Sequence, residues 1–301
     1  MRAGPGCAVV LAGLLALPGP GHADDVQLLG YGYAIANDSI GQFLDRWQSS
    51  FVMGALFFGP YSADPLVLPP GQVFELRLAH QLVTPEDLAA PAPDDRPFAA
   101  AVSVELLTHG RLGEAEASFS AGLAMTGPQT GAFRFQRWLH ERLGYPLPRT
   151  EGREIADAIH PVVTAELGRT FGNAPRVRPF VEARGGLETL LRGGVDLTWG
   201  ALGTRRLRVR EPVTGQRVPV LWGPREEGLS VTLGADAAAV AHSAFLAEEG
   251  LDPAPRVRLR AGIGWQGARW SLVYGAAWLS PEFAGQRVGQ VVGFVQVGAR
   301  F

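Results

Sequence analysis

The carboxy-terminal stretch Val295-Gln296-Val297-Gly298-Ala299-Arg300-Phe301 decides the fold class of this chain. Every second side chain in it is apolar, and the side chains between them are those of Gln, Gly and Arg. A two-residue period of this kind predicts a β-strand with one apolar and one polar face. The same period recurs in many segments upstream.

The segment 256–265 shows the clearest alternation. Arg256, Arg258 and Arg260 share one of its faces, and apolar residues occupy most of the other. Three arginines facing the core of a soluble protein would be costly to bury, whereas they suit the polar lumen of a membrane barrel. The next segment repeats the alternation, and its apolar face carries Trp270, Leu272, Tyr274, Ala276 and Trp278.

The composition fits a membrane protein without a membrane-spanning helix. Hydrophobic residues make up 47% of the 301 residues and 39 are glycines, yet no run after residue 23 reaches the roughly 20 apolar residues of a spanning helix. Short alternating segments between turns are typical of a closed barrel, which satisfies its backbone in lipid. The terminal Phe301 resembles the assembly signal of outer-membrane barrels. We therefore predict residence in the bacterial outer membrane, insertion by the barrel-assembly machinery and, at a net charge of −2, no nucleic-acid partner.

The first 23 residues predict a secretory signal peptide, which leaves residues 24–301 as the outer-membrane β-barrel. Arg2 supplies the positive start, residues 9–17 form an apolar core too short to span a bilayer, and Gly21-His22-Ala23 offers a cleavage site. The only cysteine, Cys7, lies in this segment. Thiol catalysis and cysteine metal sites are therefore excluded from the predicted mature chain.

Segments of this kind predict an all-β, transmembrane antiparallel β-barrel of about twelve strands. The predicted strands are 27–37, 48–58, 71–82, 98–109, 113–126, 157–171, 175–186, 191–202, 228–240, 255–266, 268–279 and 289–301. An even number of strands is usual for such barrels. A soluble β-sandwich is the competing fold, and the inward arginines, the predicted signal peptide and the terminal aromatic residue all favour the barrel.

One segment has helical spacing. In residues 132–143, Phe135 and Leu139 fall on one side and Gln136 and His140 on another, as expected for 3.6 residues per turn. Glycines flank the segment, and a proline follows it. It predicts a short helix in an extracellular loop between the fifth and sixth strands.

Strand order brings three polar clusters to one rim of the predicted barrel. With both termini periplasmic, the first and fifth strands run outward and the second runs back. Asn37-Asp38, Ser49-Ser50 and His140 therefore converge at the outer surface. The long 203–227 connection falls on the periplasmic side, where short turns are expected.

These residue types can form a hydrolytic site in two ways. A serine can be the nucleophile with a histidine as its base. Alternatively, Asn37 and Asp38 can hold a hard cation such as calcium, while His140 activates a water and the cation stabilises the developing oxyanion. Unrelated loop residues can also produce the pattern, since Asn-Asp is an ordinary turn signal.

Three ordered motifs resemble those of the outer-membrane lipid A 3'-O-deacylase family. They are Ala36-Asn37-Asp38, then Asp45-Arg46-Trp47-Gln48-Ser49, then Gly127-Pro128 followed by Gln136, His140 and Gly144. Ser280-Pro281-Glu282-Phe283 and the terminal Phe301 are also similar to members of that family. The order and the spacings are compatible through most of the predicted mature chain.

The resemblance implies a twelve-stranded outer-membrane barrel that depends on calcium and hydrolyses the ester of the 3'-linked acyloxyacyl group of lipid A. It places Asn37 and Asp38 at the calcium site and makes His140 the general base acting on water. Ser49 stands where the family has Thr or Ser, and would orient substrate or water. The implied partner is lipid A, the anchor of lipopolysaccharide in the outer leaflet.

The second and third motifs also depart from the family pattern. The run Gln48-Ser49-Ser50-Phe51 replaces the usual Tyr-Thr and the Gly that follows, and Pro146 stands where some members have a Glu. All 27 cationic residues are arginine, so the loop lysine of some members is absent, and Arg96 is the candidate to bind a lipid A phosphate. A non-catalytic barrel acting as a narrow pore or scaffold, and an outer-membrane phospholipase, are alternative functions.

Overall fold

The chain forms a closed antiparallel β-barrel in a computed structural model. The structure describes residues 26–60, 68–201, 206–222, 227–246 and 251–301. Twelve strands of these described residues form the barrel wall, each paired with its neighbour along the wall, and β1 closes the barrel on β14. The predicted signal peptide, residues 1–23, lies outside the described residues.

Every predicted strand corresponds to one strand of the wall. The wall strands are β1 (Val26–Asn37), β2 (Trp47–Pro60), β3 (Val73–Thr84), β4 (Ala99–Leu112), β5 (Ala115–Thr126), β6 (Ala158–Gly168), β7 (Arg176–Gly185), β8 (Glu188–Gly200), β11 (Gly228–Ser243), β12 (Arg256–Gln266), β13 (Trp270–Leu279) and β14 (Gln290–Arg300). A separate hairpin consists of β9 (Arg206–Arg210) and β10 (Arg217–Trp222). The α-helices are α1 (Asp38–Gly41) and α2 (Ala132–Leu143). The all-β barrel with a short helix in one loop is thus confirmed.

The wall has the two faces that the alternation predicts. In β12, the side chains of Arg256, Arg258 and Arg260 are buried in the lumen, while those of Leu259 and Ile263 point outward, uncovered by protein. β13 repeats this pattern along its length. No helix among the described residues is long and apolar enough to span a membrane.

The long connection between β8 and β11 returns into the lumen as the β9–β10 hairpin. Its buried apolar side chains are those of Leu207, Val209, Val218, Val220 and Leu221. They pack against inward apolar residues from β1, β2, β13 and β14. This packing explains why a connection on the predicted periplasmic side is long: its residues occupy part of the lumen, and a cavity lined by Arg77, Glu105 and Arg178 remains beside them.

The opposite face of the hairpin is held by ion pairs. Arg210 pairs with Glu166 at 2.7 Å and with Asp196 at 2.9 Å, and Arg217 pairs with Glu116 at 2.9 Å. These groups are largely shielded from solvent. Buried ion pairs of this kind add little net stability but penalise any arrangement that separates the charges. The hairpin is therefore fixed in orientation as well as in place.

Antiparallel order places the ends of β1, β3 and β5 at one rim, together with the start of β2. Helix α2 emerges at this rim and packs on the outer face of the wall, where Phe133 contacts Phe98 with ring centroids 5.3 Å apart. Leu82 of β3 and Ala100 of β4 complete the contact. The helix therefore lies against the wall, outside the barrel.

Candidate active site

Helix α1 is a single turn that holds Asp38 at the rim. The Asn37 side chain caps it, because its Oδ1 accepts from the backbone N–H of Ser39 at 2.7 Å. Two glycines allow α1 to lie against β14: a Cβ at Gly41 would be 2.4 Å from the Val291 carbonyl oxygen, and one at Gly293 would be 2.7 Å from Ile40. The close packing fixes where the Asp38 carboxylate points.

Asp38 is a buried carboxyl group with one partner missing. Its Oδ2 accepts from the backbone N–H of Arg46 at 2.6 Å, while its Oδ1 is buried without a hydrogen-bond partner. Burial, together with repulsion from Asp45, raises the pKa of Asp38 to about 8. An uncompensated buried carboxyl oxygen is unfavourable by itself, and a proton, a water or a cation would each satisfy it.

Asp45 joins the remaining predicted residues. Its Oδ2 lies 3.2 Å from Nε2 of His140, and its carboxylate accepts a hydrogen bond from the Ser49 hydroxyl. The Ser49 oxygen is 2.7 Å from that of Thr84. Burial raises the pKa of Asp45, although the Ser49 bond and His140 oppose that rise. Asp38, Ser49 and His140 are thus connected through one carboxylate and its neighbours.

His140 is held with a defined tautomer. Its Nδ1 is 2.6 Å from the carbonyl oxygen of Pro146, which can only accept, so Nδ1 carries a proton. Nε2, the other ring nitrogen, faces Oδ2 of Asp45 at 3.2 Å. Gly144 ends α2 in the left-handed conformation with φ 73° and turns the chain so that Pro146 reaches back. Because the contact uses a backbone carbonyl, the proline at this position preserves it.

The loop between α1 and β2 contains strained backbone. Phe43 and Trp47 have φ of 59° and 52°, a left-handed conformation that side chains other than glycine rarely adopt. The Arg46 guanidinium stacks on the Trp47 ring at 4.1 Å from its centroid. Strain of this kind, about 1–3 kcal/mol for each residue, often accompanies functional sites. Here it delivers Asp45 and Ser49 to the rim.

The order of contacts distinguishes the two hydrolytic chemistries. In a serine triad the histidine contacts the serine and the carboxylate lies behind the histidine. Here Asp45 lies between Ser49 and His140, and the other contact of Ser49 is Thr84. The arrangement therefore favours His140 as a base for water over Ser49 as a nucleophile.

The residues present fit a hard cation only in part. Asp38 offers a free carboxylate oxygen, and Asp45 lies close enough to repel it. Asn37 already accepts from both the backbone N–H and the hydroxyl of Ser39. Among the described residues, no three His, Cys, Asp or Glu side chains form a cation cluster by themselves. Calcium would complete its shell with backbone, amide or water oxygens, as it commonly does.

Arg96 is not at this site. It is 1% exposed and pairs with Glu282 at 2.6 Å, and its guanidinium lies 5.9 Å from the centroid of the Phe283 ring. The Arg96–Glu282 ion pair joins the loop between β3 and β4 to the loop between β13 and β14. Arg96 therefore connects two loops at the rim.

Gln48 stands where the chain departs from the family motif. Its side-chain oxygen accepts a hydrogen bond from Gln81 at 2.8 Å, and both residues lie on the lumen side of the wall.

Sequence reasoning missed the role of Asp45. It was visible as the first residue of the motif Asp45-Arg46-Trp47, but nothing in the spacing indicated that it would reach His140 in a loop 95 positions away. The bulge between Trp47 and Ser50, where β2 shifts its register against β3, turns the start of the strand toward the site.

Replacing Arg96 with methionine is expected to lower stability without affecting substrate binding. Burial alone would raise the pKa of Glu282, but Arg256 and Arg96 lower it to about 2, so the carboxylate stays charged when Arg96 is lost. Glu282 then keeps its longer contact with Arg256 at 3.5 Å, and loss of a hydrogen bond to a charged group costs about 1.5–3 kcal/mol, which urea unfolding of the barrel would detect. The double variant Arg96→Met/Glu282→Gln should recover most of the loss. A raised KM for substrate with unchanged stability would instead assign Arg96 to phosphate binding.

Comparison with known proteins agrees with the barrel fold. The family model described as outer membrane protein LpxR matches residues 29–301. The solved structure of LpxR from Salmonella typhimurium has a TM-score of 0.69 at 16% identity, covering 90% of this chain and 100% of that one. No curated protein matches the chain in sequence.

Other solved barrels are less similar. The translocator domain of the autotransporter NalP from Neisseria meningitidis has a TM-score of 0.40 at 10% identity, covering 97% of this chain and 94% of that one. The β domain of the Bordetella autotransporter BrkA has a TM-score of 0.43 at 13% identity, covering 91% and 100%. Both scores are too low to bear on function. The match over residues 29–301 is decisive: the chain belongs to the LpxR family of outer membrane proteins, and it is an outer-membrane β-barrel.

Proposed function

We propose that this barrel is an ester hydrolase that removes the 3'-linked acyloxyacyl group from lipid A in the outer leaflet. The observation that carries the proposal is the His140 imidazole, fixed through Nδ1 and placed beside Asp45 and Ser49 on the outer face of the wall. An active site on the outside of the barrel meets a lipid substrate without removing it from the membrane. Family membership supports a lipid A deacylase-like activity.

The reaction would use His140 as general base and then as general acid. A water takes the place of Asp45 at Nε2, and Nε2 accepts its proton as the water attacks the ester carbonyl. The tetrahedral intermediate then collapses, the carbon–oxygen bond to the sugar breaks, and the imidazolium returns its proton to the sugar oxygen. Asp45 stabilises the imidazolium between these steps, and Ser49 orients water or substrate by its hydroxyl.

Calcium is the proposed cofactor, held by Asp38 and, once its side-chain oxygen releases Ser39, by Asn37. When bound, it would supply positive charge to the carbonyl oxygen as negative charge develops there. Asp38 supports this assignment through its unpartnered Oδ1, and the Asp45 carboxylate adds negative charge nearby.

Mass spectrometry of lipid A from cells that express the chain tests the function. The expected product has lost the mass of the 3'-linked acyloxyacyl group, and free fatty acid from phospholipid does not increase. An unchanged acyl pattern with correctly assembled barrel would contradict the proposal. Release of fatty acid from phospholipid alone would identify a phospholipase, and steady ion conductance in planar bilayers without hydrolysis would identify a pore.

Replacing Asp45 with asparagine is expected to lower kcat by roughly 10- to 100-fold with little change in KM. The amide keeps the shape but loses the negative charge that stabilises the imidazolium. Steady-state kinetics on purified barrel measure the two constants separately. Asp87→Asn, in the neighbouring β3–β4 loop, is the matched control and should match wild type. A rise in KM alone would mean that Asp45 binds substrate without assisting His140.

A further inference from the structure

Helix α2 presents three distinct faces around its axis. The first faces the wall and consists of Ala132, Phe133, Gln136 and His140, all buried. At 3.6 residues per turn these positions form one stripe. The stripe is anchored by Phe133 against Phe98. It brings His140 to Asp45 and fixes the rotation of the helix about its axis.

The second face is apolar and uncovered by protein. Phe135, Trp138, Leu139 and Leu143 are 60%, 50%, 37% and 56% exposed. The rings of Phe135 and Trp138 stack with centroids 5.7 Å apart. Arg142 lies beside them, with its guanidinium 5.8 Å from the Trp138 ring. A contiguous apolar surface of this kind usually marks an interaction site.

The third face is charged and lies about a third of a turn from the apolar one. It carries Arg134, Arg137 and Glu141, of which Arg137 donates to the Pro148 carbonyl at 2.7 Å and pairs with Glu151 at 3.1 Å. With the buried face against the wall, the apolar and charged faces flank it on its two sides. Next to a membrane, the apolar face is the one expected to meet lipid and the charged face the one expected to meet water.

The apolar face is continuous with the outer surface of the barrel. Leu82 and Ala100, on which α2 packs, lie on the outward face of β3 and β4. That face continues down the wall as apolar side chains uncovered by protein, among them Leu78, Val104 and Leu106. The surface below the helix is therefore the lipid-facing surface of an outer-membrane barrel.

We propose that α2 is an interfacial helix, with its Phe135–Trp138–Leu139–Leu143 face inserted among the acyl chains of the outer leaflet. Amphipathic helices bind membranes in this way, with the apolar face buried and Trp at the boundary. Arg142 extends toward the headgroups, as long basic side chains do. Contact with the wall fixes the rotation of the helix about its axis, and insertion in the leaflet fixes its depth in the membrane.

Insertion sets the depth of His140 in the membrane. On the proposed function, on which this consequence rests, the imidazole then stands at the level of the ester bonds that join acyl chains to the sugar. The position of the helix itself does not depend on any activity. The insertion of the helix in the membrane and its effect on catalysis can therefore be tested separately.

Site-directed fluorescence tests the position of the helix. Cys7 is the only cysteine in the sequence, so the Cys7→Ser variant is a background without cysteine. In that background, one cysteine is introduced at Phe135, at Glu141 or at the lipid-facing control Leu106, and it is the only site that an environment-sensitive dye can label. In phosphatidylcholine vesicles with nitroxide-labelled acyl chains, we expect quenching at Phe135 within about twofold of that at Leu106. Aqueous iodide should quench the Glu141 label preferentially. Equal iodide quenching at Phe135 and Glu141 would overturn the proposal.

Activity tests the consequence of insertion. Phe135→Ser/Trp138→Ser is expected to reduce hydrolysis of lipid A in vesicles by about tenfold or more, with a much smaller effect on detergent-dispersed lipid A. Arg134→Ser, on the charged face, is the matched control and should be unaffected. Equal losses on both forms of substrate would contradict a depth-setting role. If wild type hydrolyses no lipid A while the Phe135 label lies in lipid, the proposed function fails and the interfacial helix stands.

Discussion

Replacing His140 with alanine is expected to lower lipid A deacylation by roughly 10²- to 10⁴-fold, the range that general acid–base catalysis contributes. The imidazole is the group whose Nδ1 is fixed on Pro146 and whose Nε2 faces Asp45. Without it, the site loses the imidazole that contacts Asp45. The measurement is the initial rate of acyl release by purified barrel, with the lipid A product identified by mass spectrometry.

The barrel itself should be unaffected by this change. His140 lies on a helix outside the wall, so the pairing of β1 with β14 is untouched, and unheated protein should keep the gel mobility of a folded barrel. His242→Ala, on the exposed part of β11, serves as the control and should retain full activity. A His140→Ala variant that keeps more than about a tenth of the rate would show that another group activates the water.

Replacing Asp38 with asparagine is expected to abolish calcium-dependent activity and to lower the affinity for calcium by about 100-fold or more, because one carboxylate ligand is lost. Asparagine resembles the protonated carboxyl group, which predominates below a pKa of about 8, so the fold should be preserved. Calorimetric titration with calcium measures binding directly, and chelation of wild type should reproduce the loss of activity. Full activity of wild type in excess chelator would remove calcium from the mechanism.

The pKa of Asp38 also predicts how calcium binding depends on pH. Below a pKa of about 8 the carboxyl group holds a proton that the cation must displace. The apparent affinity should therefore rise by up to about tenfold per pH unit between pH 6 and 8 and level off above that. Titrations at three pH values measure the slope. Asp38→Asn should abolish it, and a slope that persists in that variant would come from another group.

The barrel could be predicted from the sequence because each strand by itself shows the alternation of apolar and polar residues. Arg256, Arg258 and Arg260 could be assigned to the lumen from their spacing alone, and strand parity then placed Asn37, Ser49 and His140 at one rim. The structure agrees with this assignment. Local patterns are sufficient when one face of an element must meet lipid and the other must not.

Contacts between loops could not be predicted from alternation or from strand order. Asp45 meets His140 because of a register shift in β2 and a left-handed turn after α2, and neither has a periodic signal. Arg96 looked available as a loop arginine, but it pairs with Glu282, 186 positions later in the chain. Such partners are set by the closure of the barrel and not by neighbouring residues.

The β9–β10 hairpin has a consequence for the cell as a whole. A protein inserted in a permeability barrier must not itself become a leak in that barrier. Because the hairpin occupies part of the lumen, with apolar contacts on one side and buried ion pairs on the other, it narrows any path through the barrel, and a bacterium can place many copies in its outer membrane. Its resistance to large antibiotics and detergents should then be unchanged.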